Sequence, residues 1–297
     1  LKITNTSGDE LLSVQAGNEA EITSDSKFVV FTIKPKEEEV KQLKLKDTKK
    51  EDMPMDQLGI FNIQTKNLER VDHIKNIQVP KNWEGWIAYQ TKSVNQKDTV
   101  EIDEDKKPKK ESDDNGYRLI IKNLTNNTLL QFPFVTDYKL AKDAKAIVFV
   151  TTGLKDDFEA GVYILNLNTL DTAQVVAHKG EYKQLTFSKQ ASKLAFIADT
   201  ADNKKDDFAL YLWQQGSGTN QLISNQANNI PKNWEVSVNG KIHFSDHSNR
   251  LFFGIAPKKP EKDTTVLEED IPKLDVWHWN EPVLHTEQIN SKQQDIK

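Results

Sequence analysis

Short apolar runs that end in an aromatic residue punctuate an otherwise polar chain. They read Lys27-Phe28-Val29-Val30-Phe31, Gly85-Trp86-Ile87-Ala88-Tyr89, Ala146-Ile147-Val148-Phe149, Lys193-Leu194-Ala195-Phe196 and Arg250-Leu251-Phe252-Phe253. Such runs are too short for a core helix and rich in β-branched and aromatic types, so they predict strands covered on both faces. Polar turns precede four of them, at Ser24-Asp25-Ser26, Lys142-Asp143-Ala144, Ser188-Lys189-Gln190 and Ser245-Asp246-His247. A second family follows each after a gap. It comprises Leu58 to Ile63, Tyr117 to Leu124, Val162 to Leu167, Ala209 to Trp213 and Val276 to Trp279. Several members alternate with a period of two and break at Asn-Thr or Gly turns such as Asn168-Thr169 and Gly216-Ser217-Gly218. A shorter strand such as Leu129-Leu130-Gln131-Phe132 and a return strand such as Tyr182 to Phe187 complete each unit.

Four short antiparallel strands recurring at roughly 45 to 60 residues predict β-propeller blades. The fold class is therefore all-β, one propeller domain of four-stranded antiparallel blades over 1–297. A β-sandwich with chance strand similarity is the competing arrangement. The blades are expected at 1–18 (a half blade), 19–78, 79–135, 136–179, 180–230 and 231–297, about five complete blades and a partial N-terminal one. Lys2 to Thr6 and Leu11 to Gln15 resemble the last two strands of a blade whose first two are missing. Phe31, Tyr89, Phe149, Phe196 and Phe253 from the first family, with Phe61, Tyr163, Trp213 and Trp277 from the second, are the expected blade-core residues. Almost no helix is expected, with at most a short amphipathic turn at Lys41 to Leu45.

Composition adjusts this picture. Apolar residues make up 36% of the 297 residues and charged ones 29%, an apolar share low for a globular chain. The deficit sits in hydrophilic insertions between the two strand families: Lys34 to Gln57, Lys92 to Gly116, Asp199 to Asp207 and Pro257 to Lys273. Connections of one kind emerge on one face of a meander disc, so the insertions should decorate a single side. Their mixed charges predict solvated loops, the second of them mobile, or else a docking surface for a partner. A net charge of −5 argues against nucleic-acid binding, which needs a concentrated basic surface. No stretch of about 18 apolar residues exists to span a membrane as a helix. The chain starts at Leu1 without a signal-peptide pattern, so any export signal is expected to have been removed or to lie outside it.

Candidate chemistry is sparse. With no Cys, disulfides, thiolate zinc sites and cysteine nucleophiles are excluded. Gly216-Ser217-Gly218 is a turn and not a Gly-x-Ser-x-Gly elbow. His243 and His247 straddle a strand and its turn and so do not share a helical face as zinc ligands do. Asp199, Asp202, Asp206 and Asp207 lack the Gly and closing Glu of a calcium loop. Carboxylate pairs for glycoside hydrolysis depend on spatial separation. No catalytic, metal or cofactor residue is assigned, and no cofactor is expected. Trp83, Trp86, Trp213, Trp234, Trp277 and Trp279 lie in or beside expected strands and are expected to pack between blades. Three glycosylation-type sequons begin at Asn5, Asn123 and Asn126.

Several segments resemble the N-terminal propeller of bacterial prolyl oligopeptidase-family serine peptidases. They are Asp25 to Pro35, Asp52-Met53-Pro54 with Leu58 to Phe61, Trp86 to Gln90, Gly180 to Phe187, Arg250 to Pro257 and Asp275 to Pro282. TolB-type propellers share these blade motifs. The resemblance implies a non-catalytic propeller that covers the active site of a C-terminal α/β-hydrolase domain and limits substrate size. That domain, missing here, would carry the Ser, Asp and His, and peptides would be the substrate. It also implies a periplasmic or secreted protein. Glu268-Glu269 lies in a charged insertion without the aromatic context of the paired-Glu motif of dipeptidyl-peptidase relatives. A free-standing propeller that binds proteins is the alternative function.

Overall fold

The computed structural model describes residues 1–49, 53–92, 109–154, 157–200, 207–224 and 230–258, with Val283 and Glu287. Almost every strand pairs with its neighbours in sequence. β1 (Lys2–Thr4) and β2 (Glu10–Ser13) form a two-stranded hairpin. A ten-stranded antiparallel ladder follows. It begins with β3 (Gly17–Ile22) and β4 (Phe28–Ile33) and, after the helix α1 (Glu37–Leu45), continues through β5 (Asp56–Asn62), β6 (Leu68–Gln78) and β7 (Trp86–Thr91). It then runs through β8 (Tyr117–Asn123), β9 (Leu129–Leu140), β10 (Ala146–Thr151), β11 (Gly161–Asn166) and β12 (Thr172–Val176). A separate four-stranded meander holds β13 (Glu181–Phe187), β14 (Lys193–Asp199), β15 (Ala209–Gln214) and β16 (Gly218–Ile223). The last described strands are β17 (Trp234–Val236), β18 (His243–Phe244), β19 (Leu251–Phe252) and β20 (Ile255–Pro257), with β17 paired to β20 and β18 to β19.

The long ladder is three meanders that share strands, because β6 and β9 each change partner midway. Leu68 to Ile74 pairs with β5, and Ile74 to Gln78 pairs with β7. Leu129 to Val135 pairs with β8, and Val135 to Leu140 pairs with β10. A left-handed residue marks each change, His73 at φ 60° and Phe134 at φ 50°. A single left-handed residue sharply redirects a strand without ending it. The strand expected to stop near Phe132 thus runs on to Leu140, and Ile74 to Gln78, grouped by sequence with the preceding unit, hydrogen-bonds into the next sheet.

Turn chemistry recurs among the hairpins. Thr23, Ser188 and Ser245 each accept, on the side-chain hydroxyl, the N–H of a residue five positions on. Each turn closes through a left-handed Ser26, Ala191 or Ser248. At the opposite ends, Asn62, Asn123 and Asn166 accept the N–H two residues ahead on Oδ1, as Asx turns do. Local polar side chains therefore set where strands stop.

The meanders stack face to face in chain order, and five apolar clusters lie between consecutive layers. The N-terminal hairpin supplies Leu1, Ile3, Leu11 and Leu12 against Val29, Phe31, Ile33 and Phe61 of the first meander. The opposite face of that meander presents Phe28, Val30 and Leu58 to Ile87, Tyr89 and Ile120 of the second. Strands β4 and β10 are buried at every position, because both of their faces are covered.

Helix α1 begins four residues before the turn expected at Lys41 and buries none of its side chains. Glu37, Glu38 and Glu39 in its first turn and Lys44 in its last complement the helix dipole. It lies in the β4–β5 connection, equivalent to the connections β7–β8, β10–β11 and β14–β15, which leave corresponding ends of the meanders. Of the 92–116 insertion, residues 93–108 lie outside the described residues, as do most of 200–207 and nearly all beyond Lys258. Among the described residues no helix is long and apolar enough to cross a membrane.

Candidate functional site

The aromatic residues singled out by sequence share one orientation. Phe31, Tyr89, Phe149, Phe196 and Phe253 each pack toward the preceding layer, as do Phe61, Tyr163 and Trp213. Directly across from the four in β4, β7, β10 and β14 stand Gly59, Ile120, Tyr163 and Tyr211. Phe149 stacks on Tyr163 at 5.6 Å and Phe196 on Tyr211 at 5.5 Å. The ring of Phe31 lies over Gly59, where an added Cβ would sit 2.5 Å from it. Burial pushes the Tyr89 phenol up to about 12, with the Glu69 carboxylate adding to the shift. Trp83 and Trp86 are buried between the second and third meanders, and the Trp83 indole donates to Ala141 O at 2.9 Å. Trp234 is 37% exposed, unlike the other described tryptophans. Trp277 and Trp279 lie outside the described residues.

Sequence reasoning missed Tyr211. Tyr211 and Trp213 alternate onto the same face, so the pattern alone does not say which of them meets Phe196; the register does.

Between the first strands of successive meanders the interfaces turn polar. Asn76 Nδ2 donates to Gln90 Oε1 at 2.6 Å, Gln90 Nε2 to Val135 O at 2.6 Å, and the Tyr138 hydroxyl to Asn76 Oδ1 at 2.7 Å. Gln78 both donates to Tyr138 O and accepts from Leu140 N. Gln184 Nε2 reaches Val238 O, and Thr186 Oγ1 reaches Ile242 O. Asn76 and Gln90 are register partners in β6 and β7, whereas Gln78, Gln90, Gln184 and Thr186 reach carbonyls that no sheet ladder connects to their own strands.

Between the first and second meanders this seam opens into a cleft of about 280 Å³. Its lining includes apolar Phe31, Ile74 and Ile77 and charged Glu19, Glu21, Lys34, Asp56 and Lys75. Glu19 is left-handed at φ 49° within a register shift of β3, so its side chain leaves the ladder toward the opening. The Lys34 ammonium donates to Asp56 Oδ2 at 2.6 Å. That bond, with Glu19 nearby, holds Lys34 above its ordinary range although burial opposes it. For Lys75, burial pulls downward, but the hydrogen bond to Asp113 and the neighbouring Tyr117 outweigh it. Lys75 also lies 4.7 Å from the centre of the Tyr117 ring. Thr32, the hydroxyl of the lining, donates to Asn18 O at 3.0 Å. The cleft thus carries charges of both signs beside apolar side chains.

Among the described residues, no group of three or more His, Cys, Asp or Glu could hold a metal ion. Of the acidic set near Asp199, Asp202 and Asp206 lie outside the described residues, while Asp207 N approaches Asp199 Oδ2 at 3.4 Å. His243 stacks on Phe252 at 4.9 Å, and His247 lies in the turn that follows.

No protein-family model matches the chain, and no curated protein matches its sequence. Among solved structures, it is similar to the β-propeller domain of the Trilobed protease from Pyrococcus furiosus, at 10% identity and a TM-score of 0.46, over 82% of this chain and 64% of that one. It is also similar to the acylaminoacyl peptidase of Pyrococcus horikoshii, at 12% identity and a TM-score of 0.42, over 80% of this chain and 35% of that one. A third likeness is to TolB from Acinetobacter baumannii, at 10% identity and a TM-score of 0.37, over 84% of this chain and 58% of that one. The chain therefore spans less than two thirds of each of these proteins.

Proposed function

We propose that the chain is the propeller portion of a prolyl oligopeptidase-like serine peptidase. In this reading it is a non-catalytic cover whose blades enclose a narrow way to the active site of an α/β-hydrolase domain, so that short peptides enter and folded proteins do not. The observation that carries the reading is the chain-ordered stack, with apolar clusters between consecutive layers and side-chain bridges near the first strands of the second and third meanders and of the fourth meander and the last strands. A radial array of such layers keeps its first strands around a common space, and the amide bridges from Asn76, Gln78, Gln90 and Gln184 hold that wall together. The order of segments from Asp25 to Pro257 that resemble this family supports the same reading. The corresponding site of action is the periplasm or the cell exterior, and the substrate a peptide.

The test is size selection by the protein joined to its hydrolase domain. Short peptides should be cleaved much faster than a long unfolded polypeptide carrying the same scissile sequence. Loosening the wall with Gln78→Ala and Gln184→Ala should admit the long substrate. Hydrolysis by residues 1–297 alone that a serine-directed inhibitor abolishes would overturn the assignment of this portion as a cover.

A further inference from the structure

At Lys109, ahead of β8, the ammonium group is half-buried and hydrogen-bonded to the β10–β11 connection. Nζ donates to Thr152 O at 3.0 Å, Thr152 Oγ1 at 2.6 Å and Gly153 O at 2.7 Å. The Phe134 ring lies beneath it, 4.4 Å from the nitrogen to the ring centre. Three acceptors match the three protons of a primary ammonium, and the nearby ring adds a cation–π contact.

The acceptors are built in place independently of Lys109. The Thr152 hydroxyl gives its own proton to Asn115 O, so its lone pairs face the ammonium. Thr152 N is bonded to Phe134 O at 3.0 Å, and Gly153 N to Thr151 Oγ1 at 3.0 Å. Gly153 is left-handed at φ 76°, and a Cβ there would come within 2.7 Å of Ala160 N and 2.8 Å of Phe158 O. Only glycine aims that carbonyl at the ammonium. Phe134 reaches the site because it is the left-handed residue at which β9 changes sheets. Leu154 and Phe158 close the loop by exchanging backbone bonds at 2.7 and 2.9 Å. The ligands are neutral dipoles, and burial, with repulsion from Lys179, pulls the Lys109 ammonium below its ordinary range.

We infer that Thr152, Gly153 and Phe134 form a binding site for a primary ammonium group, filled in cis by Lys109 and open to a peptide amino group when that side chain withdraws. The ligand is an unbranched alkylammonium, from a lysine side chain or a chain terminus. Quaternary ammonium groups lack the protons that the three acceptors require. The site stands independently of the peptidase reading.

Chemical rescue of the Lys109→Ala chain tests it. Each hydrogen bond to a charged group contributes about 1.5–3 kcal/mol, so loss of the ammonium should speed exchange of the Gly116, Leu154 and Phe158 amides by about tenfold or more. Millimolar n-butylammonium should restore protection in Lys109→Ala and have no effect on Lys109→Ala combined with Thr152→Val. Tetramethylammonium and n-butanol should not rescue. Acetylated Gly-Lys-Gly amide and free Gly-Gly-Gly amide then separate a lysine source from a terminal one. Unchanged exchange in Lys109→Ala, or rescue by tetramethylammonium or butanol, would overturn the inference. Should that variant not fold, 15N NMR of the unaltered chain gives the answer. One slowly exchanging lysine NH3⁺ signal, lost in Lys109→Arg, supports the site, and its absence refutes it.

Discussion

Individual side chains set the joints of this molecule. Tyr138 is 2% exposed, yet its hydroxyl donates to Asn76, which itself holds Gln90. Burial pushes its phenol well above the usual tyrosine range, with the Asp137 charge adding to the shift, so the hydroxyl stays a donor at any ordinary pH. Removing it by Tyr138→Phe deletes that hydrogen bond, and because Asn76 is exposed and can turn to water the cost should be about 0.5–1.5 kcal/mol. Urea unfolding should show the loss as a lower midpoint at unchanged m-value. An unaltered midpoint would mean that the network adds nothing to stability. Turn chemistry at this scale was legible beforehand. Ser24-Asp25-Ser26, Ser188-Lys189-Gln190 and Ser245-Asp246-His247 announce turns by residue type; the Ser188 and Ser245 hydroxyls hold the backbone from within theirs, and Thr23 does so from the residue before the first. Phe134 and His73 were illegible, since nothing in a phenylalanine or histidine announces a left-handed backbone.

Strands carry the next level of order. Apolar runs such as Phe28 to Ile33 and Ala146 to Thr151 are legible as doubly covered strands because they lack alternation. Their aromatic ends take a common direction once the chain pairs with itself, filling space that the smaller Val148, Val150, Ala195 and Ile197 leave on the facing layers. Phe196 is 0% exposed and stacked on Tyr211. Phe196→Ala should therefore cost about 3–5 kcal/mol, as large-to-small changes in a close-packed core do. Trp213→Ala, at a partly covered position of the same cluster, should cost less. Calorimetry on the two variants checks the order, and a larger loss at Trp213 would show that the stacked pair is not the centre of that interface. Helix α1 belongs to this level too. It buries nothing and rests on its own charge pattern, so the fold does not depend on it.

At the scale of the whole molecule, layers touch mainly their neighbours in sequence, so stability should be distributed by interface. The N-terminal hairpin turns Leu1, Ile3, Leu11 and Leu12 inward and pairs Lys2 with Glu10 at 2.9 Å on its exposed side. Ile3→Asp with Leu12→Asp should undock it. Hydrogen exchange should then quicken in β4, whose Val29 and Phe31 lose their cover, while β14 and β15 keep their protection. Equal loss across all layers would mean that the stack unfolds as one unit. The candidate cleft also belongs to this scale. Glu19, Lys34, Asp56 and Lys75 come from four separate strands or strand ends, and no motif links them.

Strands, most of their ends and the all-β character follow from the order of residues, because burial on two faces demands unbroken apolar runs and hairpins demand polar or left-handed turn residues. Tertiary structure alone decided where one strand serves two sheets, which aromatic residue meets which, and how Lys109 reaches acceptors 43 and 44 residues away. Local chemistry fixes the conformation of a few consecutive residues, whereas partner choice across layers depends on packing the whole stack satisfies at once.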